Sequence, residues 1–244
     1  MNKTLPKLAL AGAIIAGSYS ASRPEVVNHS IEGMPEYVAD PISFQEEILL
    51  QDTFQDVKKY WLKRQVGVSA TKLMVLKGDD TALCSSPSSK GFVFKASDPD
   101  SAAYCPTSDT IYISETYVGL VEDFLVTEKA SEEAILEFTV SHEAGHAVQH
   151  ALNMDDFPHN YSRLAQIQSL ELQADCYAGE AMGSLYRDDL KDAESFIQGL
   201  SLIDISHGTP QQRNESFLSG SLEGPCQPLP LAVVNIPTVQ PAEV

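Results

Sequence analysis

The sequence predicts an α+β domain, mostly helical, whose helices and strands are segregated along the chain rather than alternating. Three observations lead there. Residues 42–65 carry apolar side chains at helical spacing, three short β-like runs follow between residues 72 and 114, and the pattern from Ser131 onward is helical. At 244 residues the chain can hold one domain with a sizeable core plus an extension at either end.

The N-terminal segment has the layout of an export signal, assigned to residues 1–20. "MNKTLPK" supplies Lys3 and Lys7, "LALAGAIIAG" is an uncharged apolar run, and "SYSAS" offers small residues for cleavage after Ser18 or Ser20. The run is short for a bilayer span, which needs about 20 apolar residues. An uncleaved anchor or a buried helix is the alternative. The signal is favoured because the chain turns polar at once and no second apolar run follows. The expected location is therefore outside the cytoplasm (periplasmic, cell-surface or secreted), with no stable membrane insertion once the signal is removed.

Residues 21–41 lack periodicity and read as a linker. The domain proper is assigned to residues 42–223. It opens with "ISFQEEILLQDTFQDVKKYWLKRQ", a helix whose Trp61, the only tryptophan, is expected as a core anchor. "KLMVLKG", "GFVFK" and "TIYIS" are the β-like runs, with Ser, Pro, Asp and Gly clusters between them as turns. Helices follow from Ser131, with Glu132 and Glu133 placed to favour a helix N-terminus. The tail from Gly224 to Val244 contains five prolines and is expected to be extended.

Acidic residues outnumber basic ones 34 to 16, a formal net charge of −18. Such a field repels nucleic acid and anionic lipid, so neither is expected as a partner. Cys84, Cys105, Cys176 and Cys226 would mature in an oxidising compartment, and four cysteines allow three pairings. Pairing Cys84 with Cys105 would close a short loop-rich segment, and pairing Cys176 with Cys226 would staple a helix to the C-terminal region. Four free thiols or a metal site are the alternatives, although no CxxC pair is present.

The stretch "SHEAGHAVQH", residues 141–150, holds three of the six histidines. Within it His142, Glu143 and His146 form the HExxH pattern of zinc hydrolases. Residues i and i+4 lie one turn apart on a helix face, so both imidazoles can reach one ion. Glu143 lies about 100° round the helix from His142, close enough to hydrogen-bond a water without coordinating the ion. An amphipathic helix with histidines along one edge would look similar. His150 is excluded as a third ligand, because it lies about 12 Å along the helix from His142.

"SRLAQIQSLELQADCYAGEAMG", residues 162–183, decides between the two. Leu164, Ile167, Glu171, Ala174, Ala178 and Ala181 share one helical stripe, so Glu171 stands where an apolar residue belongs. A buried carboxylate demands a cation or a proton. Eight residues of helix beyond His146, a turn through "DDFPHN" and nine residues back would return Glu171 to the height of His146. Asp175 would then lie level with His142, able to support that imidazole from behind. Ala144, Gly145, Ala147, Ala174 and Ala178 would let the two helices approach closely. The expected centre is one Zn2+ held by His142, His146 and Glu171, with Glu143 as the general base.

On these segments the chain resembles the bacterial neutral zinc metallopeptidase family. "HEAGHAVQ" resembles its histidine helix, "ELQADCYAG" its second helix, "HGTPQQR" its HGT segment, and "YCPTSDTIYIS" the strand before the active-site helix. The resemblance spans roughly residues 70–226 and departs at Ala147, where that family often has a histidine. It implies a zincin-like fold, His142, His146 and Glu171 as zinc ligands, Glu143 as the catalytic carboxylate, and disulfides Cys84–Cys105 and Cys176–Cys226. The implied activity is hydrolysis of peptide bonds in a peptide or protein substrate.

His207 is the candidate second catalytic residue, an oxyanion donor on a loop just before a helix capped by Thr209 and started by Pro210. A surface histidine beside a helix cap is its alternative, and Tyr161 and Tyr112 are further donor candidates. "DTIYIS" is a candidate edge strand against which an extended substrate could pair. Two other functions compete. A non-catalytic, zinc-stabilised secreted binding domain would have its fourth metal position occluded. A deformylase-like zinc amidase would use Cys105 as third ligand, and a disulfide at Cys105 would exclude it.

Overall fold

The computed structural model describes residues 41–86, 89–98, 102–122, 130–154, 163–200 and 207–226. The signal assignment, all of the linker but its last residue, the "DDFPHN" turn, Tyr161 and the tail beyond Cys226 lie outside the described residues.

Helix α1 (Phe44–Lys63) begins at Ser43, whose hydroxyl accepts from the Glu46 amide while the Glu46 side chain accepts from the Ser43 amide. Leu50, Phe54, Val57 and Trp61 recur at three- and four-residue spacing and are buried against the helices that follow. Trp61 packs edge-on against Tyr177, with ring centroids 5.4 Å apart, as a core anchor should.

Five strands follow: β1 (Lys72–Leu76), β2 (Thr81–Ser86), β3 (Ser89–Lys95), β4 (Ala102–Cys105) and β5 (Thr110–Ser114). β1 pairs parallel with β5, and β4 pairs antiparallel with β5, giving the order β1-β5-β4. β2 and β3 form a separate antiparallel hairpin. This corrects the expectation for "TIYIS". That run is the central strand, hydrogen-bonded on both sides, and the edges of the sheet are β1 and β4. The sheet alternates between two cores. Ala102, Tyr104, Ile111 and Ile113 face the main core. Ala103, Cys105 and Tyr112 face the hairpin, where Phe94 stacks on Tyr112 at 5.2 Å. A disulfide between Cys84 and Cys105 fastens the hairpin to β4.

β5 runs into the short helix α2 (Glu115–Leu120), capped by Ser114. Helix α3 (Glu132–Ala151) starts at Ser131, whose hydroxyl accepts from the Ala134 amide. Every residue from Ala134 to Gln149 is buried, so α3 runs through the middle of the molecule. Helices α4 (Arg163–Leu185), α5 (Leu190–Gly199) and α6 (Pro210–Glu223) complete the fold. The closest approaches pair Gly145 with Ala174, and hydrogen bonds pair His142 with Asp175 and Gln149 with Leu170, so α3 and α4 are antiparallel.

α6 lies along α4 in the same direction, and the two backbones touch. A Cβ on Gly179 would fall 2.0 Å from the Phe217 carbonyl oxygen, and one on Gly220 would fall 1.9 Å from that of Cys176. A disulfide between Cys176 and Cys226 locks the end of this pair. The fold is therefore α+β and mostly helical, with the small sheet preceding the histidine helix. No helix among the described residues is long and apolar enough to cross a membrane.

Candidate metal centre

The antiparallel packing of α3 on α4 is close because a Cβ at Gly145 would already sit 2.9 Å from the Ala174 carbonyl oxygen. Side chains one turn apart on α3 therefore meet side chains one turn apart on α4. Glu171 Oε2 lies 3.2 Å from His142 Nε2 and 3.4 Å from His146 Nε2. One ligand atom each from His142, His146 and Glu171 lies within 4.8 Å of the other two, and all three residues are buried. Among the described residues no other such group of three occurs.

The far side of each imidazole is also held. His142 Nδ1 is 2.8 Å from Asp175 Oδ1, a carboxylate oxygen that can only accept, so Nδ1 carries a hydrogen and, in the neutral ring that a metal requires, Nε2 keeps its lone pair on the Glu171 side. Asp175 is fully buried and receives Arg213 bidentately, Nε at 2.9 Å and Nη2 at 2.8 Å. Burial alone would raise the Asp175 pKa, but the Arg213 charge and hydrogen bonds outweigh it and hold the carboxyl below its usual range. His146 Nδ1 is 2.9 Å from Gln149 Oε1.

Glu143 points from the same helix into the same space. Its Oε2 accepts from the backbone amide of Tyr104 on β4 at 2.6 Å. Its Oε1 is buried with no hydrogen-bond partner among the described residues. Burial pushes its pKa up, against the pull of His146 and His142. Glu171 behaves oppositely: burial would raise it, but His207, His146 and His142 bring it well below the ordinary value.

The donor set fits zinc. Two imidazole nitrogens and a carboxylate oxygen converge, each ligand is buried, and one oxygen of a fourth buried group is left unsatisfied beside them. A buried polar atom without a partner is costly unless something else satisfies it.

His207 precedes α6, where the Thr209 hydroxyl accepts from the Gln212 amide and Pro210 opens the helix. Its imidazole is 3% exposed, with Nε2 3.3 Å from Glu171 Oε2. It thus touches the centre through the ligand carboxylate and is no surface histidine. His150 is exposed and packs near the Tyr104 ring at 6.1 Å, away from the three ligands. Tyr112 is buried on the hairpin side of the sheet, so the structure does not bring it to the centre. Cys105 is oxidised to a disulfide and is no ligand, which removes the deformylase-like arrangement.

Three contributors escape motif reading. Arg213 could have been found, since it lies inside "HGTPQQR" and a buried Asp175 requires a cation. Gln149 carries the signal of its position, three residues after His146 on one helix. The Tyr104 amide carries none, because a backbone group has no residue identity.

The sequence profile of the family described as "Putative neutral zinc metallopeptidase" matches residues 43–196. No curated protein and no solved structure gives a match.

Proposed function

From the premise that the chain belongs to the neutral zinc metallopeptidase family, we propose a mechanism in which Glu143 is the base and His207 the oxyanion donor. The family and the triad together make the protein a zinc-dependent hydrolase of the metallopeptidase type. The observation that carries the mechanism is the unsatisfied Glu143 Oε1, buried beside His142, His146 and Glu171.

Zinc, when bound, supplies a Lewis acid that polarises a carbonyl and brings a water pKa to about 7. The chain's own groups supply the rest. The Tyr104 amide fixes Oε2 of Glu143, which leaves Oε1 to take a proton from the attacking water and later return it to the leaving amine. Its carboxyl, raised above the ordinary value by burial, is a better proton acceptor than a solvated one. Asp175, clamped by Arg213, holds His142 in the tautomer that presents Nε2. His207, whose Nε2 lies 3.3 Å from Glu171 Oε2, would donate toward the developing oxyanion.

An extended peptide or protein segment would lie along β4, the edge strand whose Tyr104 amide donates to Glu143. Two disulfides and the signal-like N-terminus support an exported enzyme, working in an oxidising compartment. Glu143→Gln keeps the size of the side chain and removes the base. The variant is expected to bind zinc as the parent does and to lose cleavage of an unfolded protein by at least about 100-fold. Cleavage at the parent rate would refute the role assigned to Glu143.

A further inference from the structure

Gln149 lies on α3 one turn beyond His146 and is 2% exposed. Its Nε2 is 2.7 Å from the Leu170 carbonyl oxygen on α4 and 3.2 Å from Gln173 Oε1. A backbone carbonyl can only accept, so the contact with Leu170 fixes which end of the Gln149 amide is the NH2 group. The other end, Oε1, therefore faces His146 Nδ1 at 2.9 Å, and an oxygen there requires Nδ1 to carry the hydrogen. In the neutral ring, Nε2, which lies on the Glu171 side, is then the nitrogen whose lone pair is available to a metal.

We infer that Gln149 is a positioning residue for the metal centre: it reads a carbonyl on α4 and converts that contact into the metal-binding tautomer of His146. This rests on the zinc reading of the triad and adds a residue that HExxH does not contain. The side chain has to donate on one side and accept on the other, which an amide does and neither a carboxylate nor an alkyl group can. The two imidazoles are thus backed differently. Behind His142 stands an anion, Asp175, neutralised by Arg213. Behind His146 stands a neutral amide, because its own neighbours there, Leu170 O and Gln173 Oε1, are acceptors that would repel a carboxylate. Gln173 is buried as well, at 4% exposure, and completes the valence of the Gln149 NH2 group.

The test separates positioning from plain structural support. Zinc affinity of the full chain is measured by chelator competition, alongside thermal stability, for the parent, Gln149→Leu and Gln149→Glu. Removing the partner of a ligating imidazole typically weakens metal binding by about 10–100-fold, and that loss is expected for Gln149→Leu. Gln149→Glu restores an acceptor for Nδ1–H but not a donor for Leu170, so it should recover part of the loss, binding zinc at least about threefold more tightly than Gln149→Leu while remaining weaker-binding and less stable than the parent. Parent-like affinity in Gln149→Leu, or affinity in Gln149→Glu as low as in Gln149→Leu, would overturn the inference. Should neither variant fold, the zinc-loaded parent decides: ring 15N spectra are expected to show His146 protonated at Nδ1, slow to exchange with solvent, and metal-bound at Nε2. The reverse assignment would overturn it. A parent that takes up no zinc would overturn the triad itself, an outcome distinct from a parent that binds zinc without regard to Gln149.

Discussion

Glu137 lies on α3 before His142, 3% exposed, with Oε2 lacking a hydrogen-bond partner among the described residues. Burial, followed by the charges of Asp189 and Glu133, pushes its pKa up to about 8. The folded chain therefore holds this proton to a higher pH than the unfolded chain does. The associated stability is full below about pH 4.5 and is lost as pH rises toward 8. Glu137→Gln removes the titration, and at pH 9 it should stabilise the protein by on the order of 2 kcal/mol, or roughly 4–8 °C in Tm. At pH 5 the difference should vanish. An equal gain at both pH values in thermal unfolding would mean that ionisation of Glu137 is not the cause.

Residues of this kind also mark how far the sequence could be read. The expected ligand triad, His142, His146 and Glu171, was legible because a metal imposes spacing, and a helix turns spacing into geometry. Asp175 was visible for the same reason. Arg213 and Gln149 carry weaker signals, a cation demanded by a buried Asp175 and a place three residues after His146, because each is defined by a group it must satisfy on another helix.

At the level of elements, the metal centre depends on three helices held at backbone contact. Gly179 is one of the two most demanding positions, with Gly220, since a methyl group there would meet the Phe217 carbonyl at 2.0 Å, with the main chain as the obstacle. Gly179→Ala should force α4 away from α6 and cost about 3 kcal/mol, the upper end for overpacking, even though alanine is the better helix former. Because α6 carries Arg213, zinc content should fall along with Tm. A variant as stable as the parent would show that backbone contact at Gly179 does not hold the helix pair together.

The helices themselves were readable from caps and periodicity: Ser43, Ser131 and Thr209 each sit at an N-cap. Two strands were not. β2, "TALCSS", is half polar and β4, "AAYC", is four residues long, and neither alternates in a way that distinguishes a strand from a loop. The place of β5 between β1 and β4 was also hidden, because strand order is a long-range property that no local pattern encodes.

For the whole molecule, the fold class followed from the order of elements, and the strongly acidic balance bears on partners, not on architecture. Two disulfides fasten the periphery, one joining the hairpin to the sheet and one joining α4 to the segment after α6. Between them the metal centre ties α3 to α4, so loading the metal should stabilise the folded chain as any ligand of the native state does. The most direct measurement of the central claim is a crystal structure of the zinc-equilibrated protein with anomalous data at the zinc edge. One ion per chain is expected, about 2 Å from the Nε2 atoms of His142 and His146 and from a carboxylate oxygen of Glu171. An ion held by other side chains, or no anomalous peak between α3 and α4, would contradict it.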